Sequence, residues 1–331
     1  MNVIQDVPVA DYIKKAGVEK QMSVRHLGEG VQIGALALEK AWLHTGLWAP
    51  ISAHATTMED FFRVYSADKH AAIYKPETLA ALKKRTANGV TPANDRLAFA
   101  LGSDANYWHY VKDFITRLCI YFEMDLRGAP LLVGPSFGEA QHAILKQIFE
   151  WAGRPLPPVM RLGDEYAALG PTLFPSLVSI PAAAMIWAGP LKPPLLTDKK
   201  DQRLFIMREG VARRQMRNQD EVAKRLQEEG FLCLDPGGLS FNEQVALFQG
   251  ASLIVGVHGA ALTNLLFAPA QGGFIELTPD ARQPFYRDLA VAKKWKVAQL
   301  GERLGEGLPR DQHRDFHIDL AFIEAALRPL L

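Results

Sequence analysis

Ser252-Leu253-Ile254-Val255-Gly256-Val257-His258-Gly259-Ala260-Ala261-Leu262-Thr263-Asn264 is the stretch whose reading decides the fold. Its first six residues are small or apolar, without the alternation of a strand that is wet on one face. Such a strand is buried on both faces, as in a parallel sheet covered by helices. The small residues after it open a short helix that Pro269 stops. Upstream, residues 231–234 read as another apolar strand, closed by Asp235-Pro236-Gly237-Gly238. Ser240 and Glu243 then have capping-box spacing, and predict a helix running to about Gly250. Further upstream, residues 203–207 read as a strand. Asn218 is the expected cap of the next helix, with an acid three residues on and Gly230 as its stop. Downstream, residues 273–277 make a fourth strand. The order β-α-β-α-β-α-β, with right-handed crossovers, predicts a doubly wound, Rossmann-like half.

The other half repeats the theme less cleanly. Residues 106–122 have helical period, with Val111, Phe114, Leu118 and Phe122 on one face. Residues 130–133, 158–162 and 176–180 are strand-like, and residues 139–151 are helical. Residues 1–95 support no assignment. The Pro-rich run 181–194 is the best linker. The expected architecture is therefore α/β, with two Rossmann-like doubly wound lobes facing across a cleft. Residues 1–190 form the first lobe and 195–310 the second, and 311–331 supply a C-terminal helix that packs back across the lobes. A length of 331 residues suits two domains.

Lys and Arg total 37 against 36 Asp and Glu, a formal net charge of +1. That balance gives no global case for nucleic acid or an anionic surface as partner. The two cysteines, Cys119 and Cys233, form no C-x-x-C pair. Neither a structural zinc site nor a disulfide scaffold is expected, and a reducing compartment is. No basic-then-apolar signal opens the chain. The uncharged stretch 167–191 carries Pro171, Pro175, Pro181 and Pro190, which a membrane-spanning helix accepts poorly. A cytoplasmic protein is the expectation, with peripheral contact at the inner face of a membrane left open.

Ligands of open α/β sheets bind outside the carboxyl ends of the strands. After the first strand of the C-terminal half, Arg208, Arg213, Arg214 and Arg217 crowd around a single acid, Glu209. After the third, Gly259, Ala260 and Ala261 would let a ligand approach the first turn of a helix, whose free N–H groups suit phosphate. Arginine forks fit phosphate oxygens. The pair suggests a diphosphate site made of protein donors, and with no Asp-x-Asp in the chain no metal site is expected. Each feature also has an ordinary reading, a solvated arginine face and a tight turn. Neither G-x-G-x-x-G nor a P-loop lysine is present. A second constellation lies on the helix at 106–122. Asn106, His109, Asp113 and Arg117 share one face, and His109 with Asp113 at i,i+4 is a candidate general-base dyad. The ordinary reading of that face is a solvent-exposed stripe with a helix ion pair. Tyr107, Trp108 and Tyr110 interleave with it, as a stacking wall or as core.

Asp235 to Gln244, followed by Gly250 to Asn264, resembles the signature of the family 61 glycosyltransferases, which include bacterial capsular-polysaccharide enzymes. Arg208, Arg213 and Arg214 resemble its arginine-containing segment, and Asn106-Tyr107-Trp108-His109 with Asp113 is similar to its N-terminal motif. The resemblance implies a GT-B fold and an inverting transfer from a nucleotide-sugar donor, UDP-linked by expectation, to a hydroxyl of a glycan or glycoconjugate in polysaccharide biosynthesis. No cofactor beyond that co-substrate is implied. Arg208, Arg213, Arg214 and the His258-Gly259-Ala260 helix start would hold the diphosphate. Glu243, Thr263 and Asn264 would shape the nucleotide pocket, and Glu276 would accept from ribose hydroxyls. His109 or Asp113 would deprotonate the acceptor, with Asn106, Tyr107, Trp108 and Arg117 on the acceptor side. The alternatives are a non-catalytic nucleotide- or glycan-binding module and a nucleotide-sugar epimerase.

Overall fold

The computed structural model describes residues 4–5, 23–28, 31–52, 75–176, 178–210, 212–279, 284–302 and 314–331. The chain divides into two compact units, Met1–Leu191 and Lys192–Leu331. Each is mixed α/β and each contains parallel strands.

The first unit holds a seven-stranded sheet in the order β1-β2-β3-β10-β6-β7-β8. Its members are β1 (Ile4–Gln5), β2 (Ser23–Gly28), β3 (Val31–Leu38), β6 (Ala98–Ala100), β7 (Leu131–Val133), β8 (Val159–Arg161) and β10 (Thr172–Pro175). The run β10-β6-β7-β8 is parallel. β1, β2 and β3 are antiparallel, and β3 pairs antiparallel with β10. This departs from the doubly wound expectation. The connection from Gly28 to Val31 is too short for the crossover that parallel pairing needs, so only a hairpin forms there. A separate antiparallel sheet joins β4 (Ala41–His44), β5 (Ala49–Ser52) and β9 (Tyr166–Leu169). The helices are α1 (Pro76–Ala87), α2 (Leu118–Glu123), α3 (Glu139–Trp151) and α4 (Ile180–Ala188).

The strand expected at 176–180 lies at Thr172–Pro175, because Ser179 is already the N-cap of α4, accepting from the Ala182 N–H at 3.3 Å. The run taken as a linker from 181 therefore begins inside a helix. Pro181 sits at the helix start, where its missing N–H costs nothing. Within the described residues no helix is long and apolar enough to cross a membrane.

The second unit is a five-stranded, all-parallel sheet in the order β12-β11-β13-β14-β15. The strands are β11 (Gln202–Ile206), β12 (Leu232–Leu234), β13 (Ala251–Val257), β14 (Gly273–Thr278) and β15 (Lys296–Gly301). The helices are α5 (Gln219–Glu228), α6 (Phe241–Gln249), α7 (Phe285–Ala292) and α8 (Leu320–Leu327), with a 3-10 segment at Ala260–Leu266. The 3-10 segment stands where a helix was expected to 268. The first four strands fall where the apolar runs predict them; the fifth, half-buried, lies outside any such run. One core cluster gathers Phe205, Val222, Val255, Ile275 and Phe316 with Ile323 and Leu327 of α8, so the C-terminal helix is part of this unit's core. The Ser240/Glu243 capping box forms as spaced. Asn218 makes no cap bond: its Nδ2 donates to the Ile318 carbonyl at 2.9 Å, a tertiary bond that takes the side chain from the helix start.

Candidate functional site

In the first unit the chain leaves β6 through Gly102, passes Asp104 and Asn106, and enters a helical run of unusual form. Asn106 Oδ1 accepts from the Trp108 N–H at 2.9 Å and so caps the start. Residues His109–Phe114 are a π-helix and Ile115–Arg117 a 3-10 turn, before α2 begins. Thr116 Oγ1 donates to the Val111 carbonyl at 2.9 Å and is itself bonded by Trp187 Nε1 at 2.9 Å, which anchors the wide turn. Gly102 has φ +92°, and a Cβ on it would overlap the Phe114 ring. Single π-turns of this sort recur at functional sites.

His109 and Asp113 meet within this turn. The Nδ1 and Oδ2 atoms are 2.7 Å apart, the Asp113 side chain is 7 % exposed and the His109 side chain 30 %. Burial by itself would raise the Asp113 carboxyl, but the adjacent Lys112 charge and the His109 bond overcome it and hold the group below its ordinary range. Asp113 is therefore an anion that accepts, and His109 Nδ1 donates. Only the Asn106–His109 end of the stripe reaches solvent. Asp113 and Arg117 are both buried, and Arg117 directs Nη1 to the Leu101 carbonyl at 3.3 Å. Trp108 is buried, Tyr107 half-buried and Asn106 exposed. Lys112, which sequence reasoning passed over, binds Asp113 Oδ1 and the Val178 carbonyl. Neighbours i and i+1 point apart on a regular helix, so spacing does not pair them.

In the second unit the parallel sheet reverses its winding between β11 and β13, the neighbours in its middle. Such a switch point is where open α/β sheets bind ligands. Arg208 leaves the carboxyl end of β11 and His258 that of β13, and Arg208 Nη1 donates to the His258 carbonyl at 2.7 Å across this point. Gln219 clamps the Arg208 backbone from α5, accepting from its N–H at 2.9 Å and donating to its carbonyl at 3.2 Å. Burial and then the neighbouring Arg214 charge depress the Arg208 guanidinium. Arg214 itself has φ +60°, a left-handed conformation that a non-glycine residue adopts at a cost. Its Nε is buried with no hydrogen-bond partner among the described residues. Two guanidinium groups near enough to repel, one with a buried donor that has no partner among the described residues, form a place that an anion would complete.

The other arginines of this run differ in their surroundings. Arg217 pairs with Glu302 at 2.7 Å, Arg203 donates to the Glu229 carbonyl, and Arg213 is exposed. A Cβ on Gly259 would lie 2.8 Å from Arg208 Cδ, so the missing side chain makes room for Arg208 rather than directly for a ligand.

Behind the arginines His258 Nδ1 lies 2.5 Å from Glu276 Oε1, both side chains buried. Glu276 Oε2 accepts from Gln299 Nε2 at 2.8 Å. With both oxygens engaged and no exposed surface, Glu276 is not open to a ribose hydroxyl; it orients His258. Tyr286, on α7, packs edge-on to the His258 ring at 5.2 Å and hydrogen-bonds Thr263. Burial raises its hydroxyl, with Glu276 adding to the effect. Tyr286 and Gln299 lie beyond the motif and carry no signal in the sequence that would have singled them out. Ala260 accepts from Thr263 Oγ1 at 2.6 Å, Asn264 is buried against Gln244 at 2.8 Å, and Glu243 closes the α6 cap on Ser240. Among the described residues no three His, Cys, Asp or Glu side chains gather as a metal site.

A family model described as Glycosyltransferase 61 matches residues 107–275. The match runs from the helix of the His109–Asp113 pair through the arginine segment to β14. No curated protein matches the chain.

Proposed function

The chain belongs to the glycosyltransferase 61 family and is a glycosyltransferase, and we propose that it moves a sugar from a nucleotide-sugar donor, UDP-linked by preference, to a hydroxyl of a glycan or glycoconjugate acceptor, with inversion and without a metal. The observation that carries this reading is Arg208 at the β11–β13 switch point under the charge of Arg214, whose buried Nε has no hydrogen-bond partner among the described residues. A diphosphate supplies the acceptor oxygens that this place lacks, and its charge relieves the repulsion between the two guanidinium groups.

His109 is the general base. Asp113 is buried, already engaged by the Lys112 ammonium and the His109 N–H, and held ionised, which makes it a weak proton acceptor. His109 is the more exposed partner, and a donating Nδ1 leaves Nε2 as the basic nitrogen. In the reaction the acceptor oxygen bonds to the anomeric carbon while His109 takes its proton. The bond from that carbon to the phosphate oxygen breaks, and the electron pair leaves with the nucleoside diphosphate. Fixed cations meet that developing charge, which lowers the barrier by electrostatic preorganisation. Glu276 and Gln299 hold His258 at the same strand edge, and Tyr286 with Thr263 walls it. The resemblance adds a GT-B arrangement, with the acceptor side in the first unit and the donor side in the second. A cytoplasmic setting in polysaccharide assembly accords with two free thiols, Cys119 and Cys233.

Calorimetric titration with UDP, GDP, CDP and CMP, with and without EDTA, tests the donor site. One nucleoside diphosphate should bind in the micromolar range, EDTA should change nothing, and Arg214→Ala should weaken it tenfold or more. His109→Ala should abolish transfer with that binding intact. Binding without transfer to any acceptor would favour the non-catalytic module, and transfer preserved in His109→Ala would sink the base assignment.

A further inference from the structure

We propose that Lys112 is a positioning residue of the reaction: its ammonium group, tethered to the Val178 carbonyl, keeps the buried Asp113 carboxylate anionic and in place, so that Asp113 holds His109 with Nδ1 donating and Nε2 basic. The inference rests on the reading of His109 as base.

The geometry is a chain of contacts. Lys112 Nζ donates to the Val178 carbonyl at 2.8 Å and pairs with Asp113 Oδ1, while Asp113 Oδ2 faces His109 Nδ1 at 2.7 Å. The Lys112 side chain is 12 % exposed and its ammonium lies 5.9 Å from the centroid of the Trp108 ring. Lysines seldom give up this much solvent without a reason, since their entropy and hydration are lost together. The reason here is the carboxylate. A buried carboxyl with one histidine partner drifts towards its neutral form, and a neutral carboxyl no longer demands an N–H from the imidazole. A cation on the other oxygen removes that drift. The titratable groups that act on Asp113 are Lys112 and His109. Arg117, one turn on, is directed instead to the Leu101 carbonyl and stacks over Phe114 at 4.9 Å. Val178 precedes the Ser179 cap of α4, so the tether ties the π-turn to a separate element of the unit.

The test uses the full chain labelled with 13C at the aspartate carboxyls, with Asp113→Asn identifying the signal. In the wild-type protein the Asp113 resonance should titrate below the ordinary aspartate range. In Lys112→Met its titration midpoint should rise by more than one pH unit, and Lys112→Arg should restore it. Lys112→Gln, which retains a donor for the Val178 carbonyl but no charge, should behave as Lys112→Met and guards against a simple folding defect. In steady-state assays Lys112→Met and Lys112→Gln should lose at least tenfold in kcat with donor KM unchanged, and Lys112→Arg should recover most of it. A midpoint unmoved in both uncharged variants overturns the proposal whatever the activity. A moved midpoint with kcat unchanged also overturns it, and transfer that survives in His109→Ala overturns the base reading on which it rests.

Discussion

At the scale of single residues, both candidate sites place charge where water is scarce. Asp113 is tolerated because Lys112 and His109 occupy its two oxygens; Glu276 because His258 and Gln299 occupy its own. Breaking such a pair from one side costs more than the pair contributes, because the survivor stays buried. Lys293 is the contrasting case. It is buried, its Nζ donates to the Leu266 carbonyl at 3.0 Å, and burial pulls its ammonium down to about 8. The folded state therefore loses this proton near pH 8, and the unfolded chain near its ordinary 10.5. Between those limits the unfolded chain binds more protons, so stability rises with pH; the full penalty applies below pH 8. A gap of that size corresponds to about 3 kcal/mol at most. Lys293→Met should be more stable than wild type at pH 7 and the difference should close by pH 10.5, as urea unfolding at the two pH values would show. An unchanged difference would mean that the lysine is hydrated in the folded state.

At the scale of elements, the helices show how far spacing carries. α6 begins where Ser240 and Glu243 predicted, and the bonds are present: Ser240 N donates to Glu243 Oε2 at 2.7 Å and Glu243 N to Ser240 Oγ at 3.4 Å. Glu243 thereby has a structural task that competes with a role at the nucleotide. Glu243→Ala should lower stability measurably through loss of the cap, and nucleoside diphosphate affinity should stay within twofold. A tenfold loss of affinity in the folded variant would return Glu243 to the binding site. The helix at 106–122 was legible as a helix, with Val111, Phe114 and Leu118 buried as its period required. Its π-turn was not. An i→i+5 turn is stabilised by Thr116, Trp187 and the space over Gly102, which lie far apart in sequence or have no helical period. Asn218 failed as a cap for the same reason, since a bond to Ile318 outcompeted the local one.

At the scale of the whole molecule, the second unit depends on its C-terminal residues. Phe316, Ile318, Ile323 and Leu327 are each at most 3 % exposed and lie in the core cluster with Phe205 and Val255. Gln215 and Arg217, next to the arginine segment, bond across to Asp315 and Phe316. Burial of each apolar side chain is worth roughly 1.5–3 kcal/mol, and together they rival the 5–15 kcal/mol that holds an ordinary domain. A chain ended at residue 313 should lose the cooperative unfolding of this unit and all nucleoside diphosphate binding, measured by circular dichroism and calorimetry. Retained binding would place the donor site outside it.

What the amino-acid sequence determined by itself was local: apolar runs that make strands buried on both faces, caps that start helices, and the i,i+4 spacing that put His109 beside Asp113. These depend on residues within a turn or two of each other. Tertiary structure alone decided the surroundings of each arginine: Arg208 is bonded to the His258 carbonyl, Arg214 sits in a left-handed conformation, and Arg217 pairs with Glu302 on a distant segment. It also decided that Glu276 supports His258, that the space over Gly259 belongs to Arg208, and that Lys112 reaches its neighbour Asp113. A charged side chain pairs with what the packed chain brings within about 4 Å, and hydrophobic periodicity carries no record of that partner.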